Sequence, residues 1–148
     1  MSLKDRIQDD MKAAMRAKDS ARLSAIRLLL AAIKQREVDE RVEQDDAAVM
    51  ATVEKLVKQR RDAAAQYDAA NRPALAAGER FEIEVLTAYL PAALAEHELE
   101  EAIAVALAEC GASTPADMGK VMALLKPRLA GRADMADVSR RVRARLTA

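Results

Sequence analysis

Apolar residues recur along almost the whole chain at intervals of three and four, the spacing that lays them on one side of an α-helix. Leu3, Ile7, Met11 and Met15 form the first stripe, opened by Ser2 with Asp5 three residues later, the pairing of a capping box. Asp19-Ser20 opens a second stripe, Leu23, Ile26, Leu30 and Ile33, running to about Arg41. Asp45-Asp46 opens a third, along Val49, Val53, Leu56, Val57, Ala64 and Tyr67, and Asn71-Arg72-Pro73 breaks it. A weaker helical piece follows over 73–77, Gly78 interrupts it, and Ile83, Leu86 and Leu90 mark a further helix that Pro91 stops.

Beyond Pro91 the stripes begin again. Leu99, Ile103, Ala106 and Cys110 define one helix, closed by Gly111. Thr114-Pro115 reads as an N-cap followed by proline at the first helical position, with Asp117 completing the box. Asp134 caps the last helix, whose stripe is Met135, Val138, Val142 and Leu146. Nothing reads as a strand. The expected fold class is all-α, an N-terminal helical subdomain followed by a C-terminal three-helix bundle. The boundary falls where a proline meets an alanine-rich connector and the charge balance changes sign, giving domains 1–91 and 92–148.

Composition narrows the function classes. With 148 residues, 51% hydrophobic and 32% charged, the chain has enough apolar surface for ordinary folded domains. Tyr67, Phe81 and Tyr89 are the only aromatics, which argues against a reader that stacks single-stranded bases on an aromatic platform. The formal net charge is zero, but residues 92–111 carry five acids and no Lys or Arg, while 112–148 carry eight Lys or Arg against three acids. A basic C-terminal third points to a polyanionic partner; the alternative is that the acidic and basic helices face each other. The longest uncharged apolar run, 102–108, is far below the ~20 residues that span a bilayer, and the start of the chain lacks a signal peptide's apolar core. The expectation is a cytosolic protein with no membrane partner. The lone cysteine, Cys110, cannot form an internal disulfide and is expected to serve as a small buried apolar residue.

Some charges fall where a solvated side chain does not belong. At about 100° per residue, Arg60 lies within the apolar stripe of the third helix, between Leu56 and Ala64, and Glu82 lies within the arc of Leu86 and Tyr89, with Glu79 near it. An interhelical Arg60–Glu82 ion pair satisfies both; a catalytic carboxylate is the alternative. Arg27, Lys34 and Arg41 recur every seven residues, about 10 Å apart along one edge of the second helix, a row able to follow phosphates or to pair with Asp9 and Asp10. Arg140, Arg141, Arg143 and Arg145 scatter around the last helix and read as solvated surface, while Glu96, Glu98 and Glu100 read as first-turn acids favoured by the helix dipole. Phosphate-loop, dinucleotide and paired-cysteine motifs are absent. His97, the one histidine, with Glu101 a helical turn away, makes at most a weak metal site. No catalytic residue, metal site or cofactor is expected.

The most distinctive stretch is Pro115-Ala116-Asp117-Met118-Gly119-Lys120-Val121-Met122, followed by Leu125-Lys126-Pro127-Arg128 and Gly131-Arg132-Ala133-Asp134. A glycine inside a helix costs about 1 kcal/mol relative to alanine, so Gly119 implies either a backbone that something approaches closely or a packing constraint. Lys120, Lys126, Arg128 and Arg132 surround it and the turn, as a module gripping phosphates requires. With LSAIRLLLAAIK (23–34), KQRRD (58–62), ERFEI (79–83) and Tyr89-Leu90-Pro91, this stretch resembles the GatB/YqeY family over essentially the whole chain. The resemblance implies a link to glutamine-dependent tRNA amidotransferases, carbon–nitrogen ligases whose B subunit carries a similar tail domain implicated in holding tRNA. It implies tRNA, with aminoacylation or amidotransferase components, as partners. The tRNA contacts it implies are Gly119, Lys120, Lys126, Arg128, Gly131 and Arg132, with Arg27 and Lys34 from the matched N-terminal stretch. The chain has no visible counterpart of the catalytic core, so an accessory tRNA-binding module is the expectation, and a protein–protein adaptor the alternative.

Overall fold

The computed structural model describes residues 1–147, and those residues fold into helices and turns without a strand. The protein is all-α. In order come α1 (Leu3–Arg16), α2 (Ser20–Glu40), α3 (Asp46–Ala69), α4 (Pro73–Thr87), α5 (Glu96–Cys110), a 3₁₀ turn (Pro115–Asp117), α6 (Met118–Leu129) and α7 (Met135–Thr147). They form two compact units, one ending at Leu90 and one beginning at Pro91. No helix among the described residues is long and apolar enough to cross a membrane.

The starts follow local chemistry. Ser2 and Asp5 make the reciprocal box at α1, and the Asp19 and Asp45 carboxylates accept backbone N–H groups at the starts of α2 and α3. In the first unit α3 packs most extensively on α4, α1 on α2, and α2 on α4. Ile7, Ile26, Leu29, Ile33, Val49 and Val53 form its centre, with Val85, Leu86 and Tyr89 closing one side.

Two expectations fail here for the same reason, that packing decides over local pattern. Gly78 does not interrupt a helix: α4 runs unbroken through it, because a cost of about 1 kcal/mol is small beside the packing of α4 against α3. Met15 does not join the stripe of α1. At 3.6 residues per turn the buried face runs from Ile7 to Ala14, and Met15 is turned to solvent.

The second unit has its own core, Leu99, Ile103 and Ala106 from α5, Val121, Leu125 and Leu129 from α6, and Val138, Val142 and Leu146 from α7. Cys110, expected as a small buried apolar residue, packs at the edge of this core and is partly buried. Gly111 (φ +62°) ends α5 in the left-handed conformation that glycine adopts without a Cβ penalty.

Candidate nucleic-acid interface and the ion pairs around it

The acidic and basic segments of the second unit face each other. Arg141 on α7 reaches Glu96 and Glu100 on α5, with Arg141 Nη2 donating to Glu96 Oε2 at 3.0 Å and Arg141 Nε to Asp137 Oδ2 at 3.0 Å. Arg145 Nη2 donates to Glu100 Oε2 at 2.7 Å, and Arg140 pairs with Asp137. Arg141 is therefore no solvated surface residue, and Glu96 and Glu100 are ion-pair partners beyond their place in a first turn. The hydrogen bonds from Arg141 and Arg145 hold Glu100 below the usual carboxylate range, and Glu96 with Glu100 raises the pKa of Arg141.

A carboxylate whose folded pKa is depressed contributes stability that is present above its ordinary value near 4.5 and lost as pH falls through the folded one. Arg141→Gln is thus expected to lower the melting temperature of this unit by a few degrees at neutral pH and low salt. The gap between variant and wild type should shrink at pH 3 and in high salt. Melts followed by circular dichroism check this; a gap independent of both would assign Arg141 a packing role instead.

The residues read as tRNA contacts divide. The first turn of α6 is set by Asp117, whose Oδ2 accepts the N–H groups of Ser113 (3.0 Å) and Thr114 (3.2 Å), bonds that hold its carboxyl below the ordinary range. A Cβ added at Gly119 would meet nothing within 4 Å, so the packing-constraint alternative for this glycine is excluded. Gly119, Ala123 and Lys126 are exposed at i, i+4 and i+7, along one side of α6. Lys120 is exposed about 100° around from Gly119. Among the described residues, no acid lies within ion-pairing distance of Lys120 or Lys126.

Arg128 and Arg132 are engaged within the unit. Arg128 lies about 180° from Gly119 on the helix and donates to Glu109 Oε2 at 2.6 Å. Arg132 Nε donates to the Ala92 carbonyl at 3.2 Å while its own carbonyl accepts from Leu94 N–H at 3.0 Å, so Arg132 pins the start of the unit. Gly131 (φ +75°) occupies the left-handed position in the turn between α6 and α7.

Arg27 and Lys34 belong to the first unit and are exposed on α2. Neither pairs with Asp9 or Asp10 among the described residues; Asp10 instead accepts the Tyr89 hydroxyl at 2.6 Å. Lys34 borders a cleft between α1 and α2 with Lys4, Lys12 and Glu37. Sequence reasoning missed the strongest contact of that region, Lys4 Nζ to Glu37 Oε1 at 2.9 Å, reinforced by the Gln44 N–H on Glu37 Oε2 at 2.9 Å. Arg60 Nε lies 2.9 Å from Glu82 Oε2 and 3.7 Å from Glu79 Oε2, tying α3 to α4 with each side chain mostly covered. Among the described residues no group of His, Cys, Asp and Glu is placed to hold a metal ion.

The class defined by these features is a two-unit, all-helical protein in which many cations hold its own helices together and a few face outward. The chain belongs to the Yqey-like protein family, whose pattern matches residues 4–146. It is similar to "Altered inheritance of mitochondria protein 41, mitochondrial" of Lachancea thermotolerans, 35% identical over 113 residues, covering 74% of this chain and 60% of that protein. The proteins of the same name from Vanderwaltozyma polyspora (34% identical, 57% of this chain and 46% of that protein) and Eremothecium gossypii (38%, 61% and 51%) are likewise similar. The matches thus span about half of these relatives' length, from 46% to 60%. Their mitochondrial names overturn the cytosolic expectation. That expectation rested on lacking a signal peptide and a spanning segment, and those absences do not distinguish one aqueous compartment from another.

Proposed function

We propose that the chain is an accessory tRNA-holding module of the kind associated with glutamine-dependent tRNA amidotransferases, and that the exposed side of α6 is its contact surface. The observation that carries this reading is Gly119. Gly119 is the second residue of α6, where glycine costs at most the ~1 kcal/mol of a helix interior relative to alanine, and no neighbour within the fold requires it. A nucleic-acid backbone approaching Gly119 and Ala123, with Lys120 and Lys126 meeting its phosphates, supplies the missing reason. The resemblance to the amidotransferase B-subunit tail supports the same reading, and connects the chain to carbon–nitrogen ligase chemistry with glutamine as amido donor, as a helper that presents the tRNA. Apolar side chains exposed on and just beyond α2, Leu28, Val38 and Val42, favour a second reading, a non-catalytic protein–protein adaptor.

Filter binding of deacylated tRNA across a salt series separates the two. Lys120→Glu with Lys126→Glu is expected to weaken tRNA binding and to flatten its salt slope by roughly one unit per lost phosphate contact. Gly119→Ala should raise the melting temperature of the C-terminal unit and yet weaken tRNA binding, because the added methyl occupies the approach. Wild-type protein that fails to bind tRNA at low salt, or a Gly119→Ala variant that binds as wild type does, would sink the tRNA reading and leave the adaptor.

A further inference from the structure

We propose that the cleft running beside α2 is a docking groove for an amphipathic helix of a partner protein, one whose apolar face is edged with carboxylates. This goes beyond any tRNA contact on α6 and concerns the first unit alone.

Two neighbouring cavities, of about 330 and 380 Å³, share Lys4, Lys34 and Glu37 and so form one continuous groove from Leu30 to Val42. At 1.5 Å per residue the helical part of that run, residues 30–40, is about 15 Å, the length of roughly three turns of a bound helix. Met11, Leu30 and Ile33 line one end, and Val38 and Val42 the other, exposed by 59% and 56%. The fold does not need those valines outside, since Ala25, Ile26, Leu29 and Ile33 already fill the buried side of α2. Apolar patches at the two ends of a groove beside a helix, with the Lys4–Glu37 ion pair between them, offer spaced anchors of the kind that helix-in-groove recognition uses.

The rim selects the sign of the partner. Lys4 is engaged by Glu37 at 2.9 Å and stands 4.0 Å from Glu43, whereas among the described residues Lys12, Lys34 and Arg41 have no acid within ion-pairing distance, so the cations lining the groove outnumber its two acids. That excess of cations beside the apolar ends of the groove complements a helix with Glu or Asp on its flanks. A nucleic acid would satisfy the cations but leave Val38, Val42 and Leu30 uncovered, because such interfaces are mostly polar. A second copy of this chain fits poorly, since the apolar face of its acid-rich helix α5, Leu99, Ile103 and Ala106, is already buried in the core of the second unit.

The test is fluorescence anisotropy with the full chain and a labelled synthetic helix of roughly 14 residues, Leu and Met along one face and Glu on both flanks, beside the same peptide with Lys for Glu. The Glu peptide is expected to bind with micromolar affinity at low salt, and the Lys peptide about tenfold or more weakly. Lys34→Glu with Arg41→Glu, and separately Val38→Ser with Val42→Ser, should each weaken the Glu peptide about tenfold. Arg41 ends α2 in the left-handed conformation (φ +55°), where glycine is less strained, so Arg41→Gly should raise the melting temperature while weakening the peptide. That opposition separates a docking role from a structural one. Equal binding of the two peptides, unchanged binding by the variants, or no binding of the Glu peptide would overturn the proposal. So would displacement of the peptide by tRNA, or wild-type dimers in sedimentation that the Val38/Val42 variant abolishes.

Discussion

Leu125→Ala is expected to unfold the C-terminal unit at room temperature while the helices before Pro91 keep their structure. Leu125 is fully buried at the meeting point of α5, α6 and α7, beside Ile103, Val121, Val138 and Val142. Truncating a buried leucine costs about 2–5 kcal/mol, the lost transfer energy plus that of the cavity left behind. A core in a unit this short rarely supplies more than about 3–5 kcal/mol in total, so the loss is comparable with everything that holds the unit together. The first unit has a separate set of buried residues and contributes nothing to that loss. Hydrogen exchange read by mass spectrometry checks both halves of the expectation. Protection should vanish over 96–147 and persist over 3–87. Loss of protection in both segments would mean that the two units fold as one cooperative body, and the separability read from the proline-containing connector would fail with it.

Information carried within a single helix was readable from the chain; information about which helix faces which was not. The Ser2/Asp5 box, the left-handed Gly111 and the Val138, Val142 and Leu146 stripe are each determined by residues a turn or two apart, and each is present. The match of Arg60 to α4 is an instructive intermediate case. A charge that interrupts an apolar arc must find an opposite charge, and the Glu79 and Glu82 arc on the next helix was the nearest source. Arg141 offered less of a clue, because on the wheel of α7 it sits at a flank with Asp137 one turn away, and only the packing of α5 alongside adds Glu96 and Glu100. The candidate interface shows the same division. That Gly119 is anomalous could be read from the chain, but that Arg128 and Arg132 are taken up by Glu109 and the Ala92 carbonyl depends on contacts 19 and 40 residues away in sequence.

Tyr89 illustrates how far such a contact can reach, and it carries the second large expected effect. The residue lies just beyond α4, its backbone N–H turned back to the Leu86 carbonyl, and its ring is almost wholly buried. Its hydroxyl donates to Asp10 on α1 at 2.6 Å, across 79 residues of sequence, and the Arg6 guanidinium stands 5.1 Å from the ring centroid. Tyr89 therefore fastens the end of the first unit to its first helix. Tyr89→Ala should cost about 3–5 kcal/mol by removing a buried ring. Tyr89→Phe keeps the ring and loses a hydrogen bond to a charged acceptor, about 1–2 kcal/mol once partial rehydration of Asp10 is allowed for. Burial first, then the hydrogen bond and the charge of Asp10, push the phenol pKa well above its ordinary value near 10. The folded state thus keeps a proton that the unfolded chain releases, so this contribution is complete below pH 10 and declines as pH rises beyond it. Urea unfolding of wild type and Tyr89→Phe should accordingly give a constant stability difference from pH 7 to about 9.5 and a shrinking one from about 10 to 12. A difference that stays constant through that alkaline range would mean that the Tyr89 proton is not held by the fold.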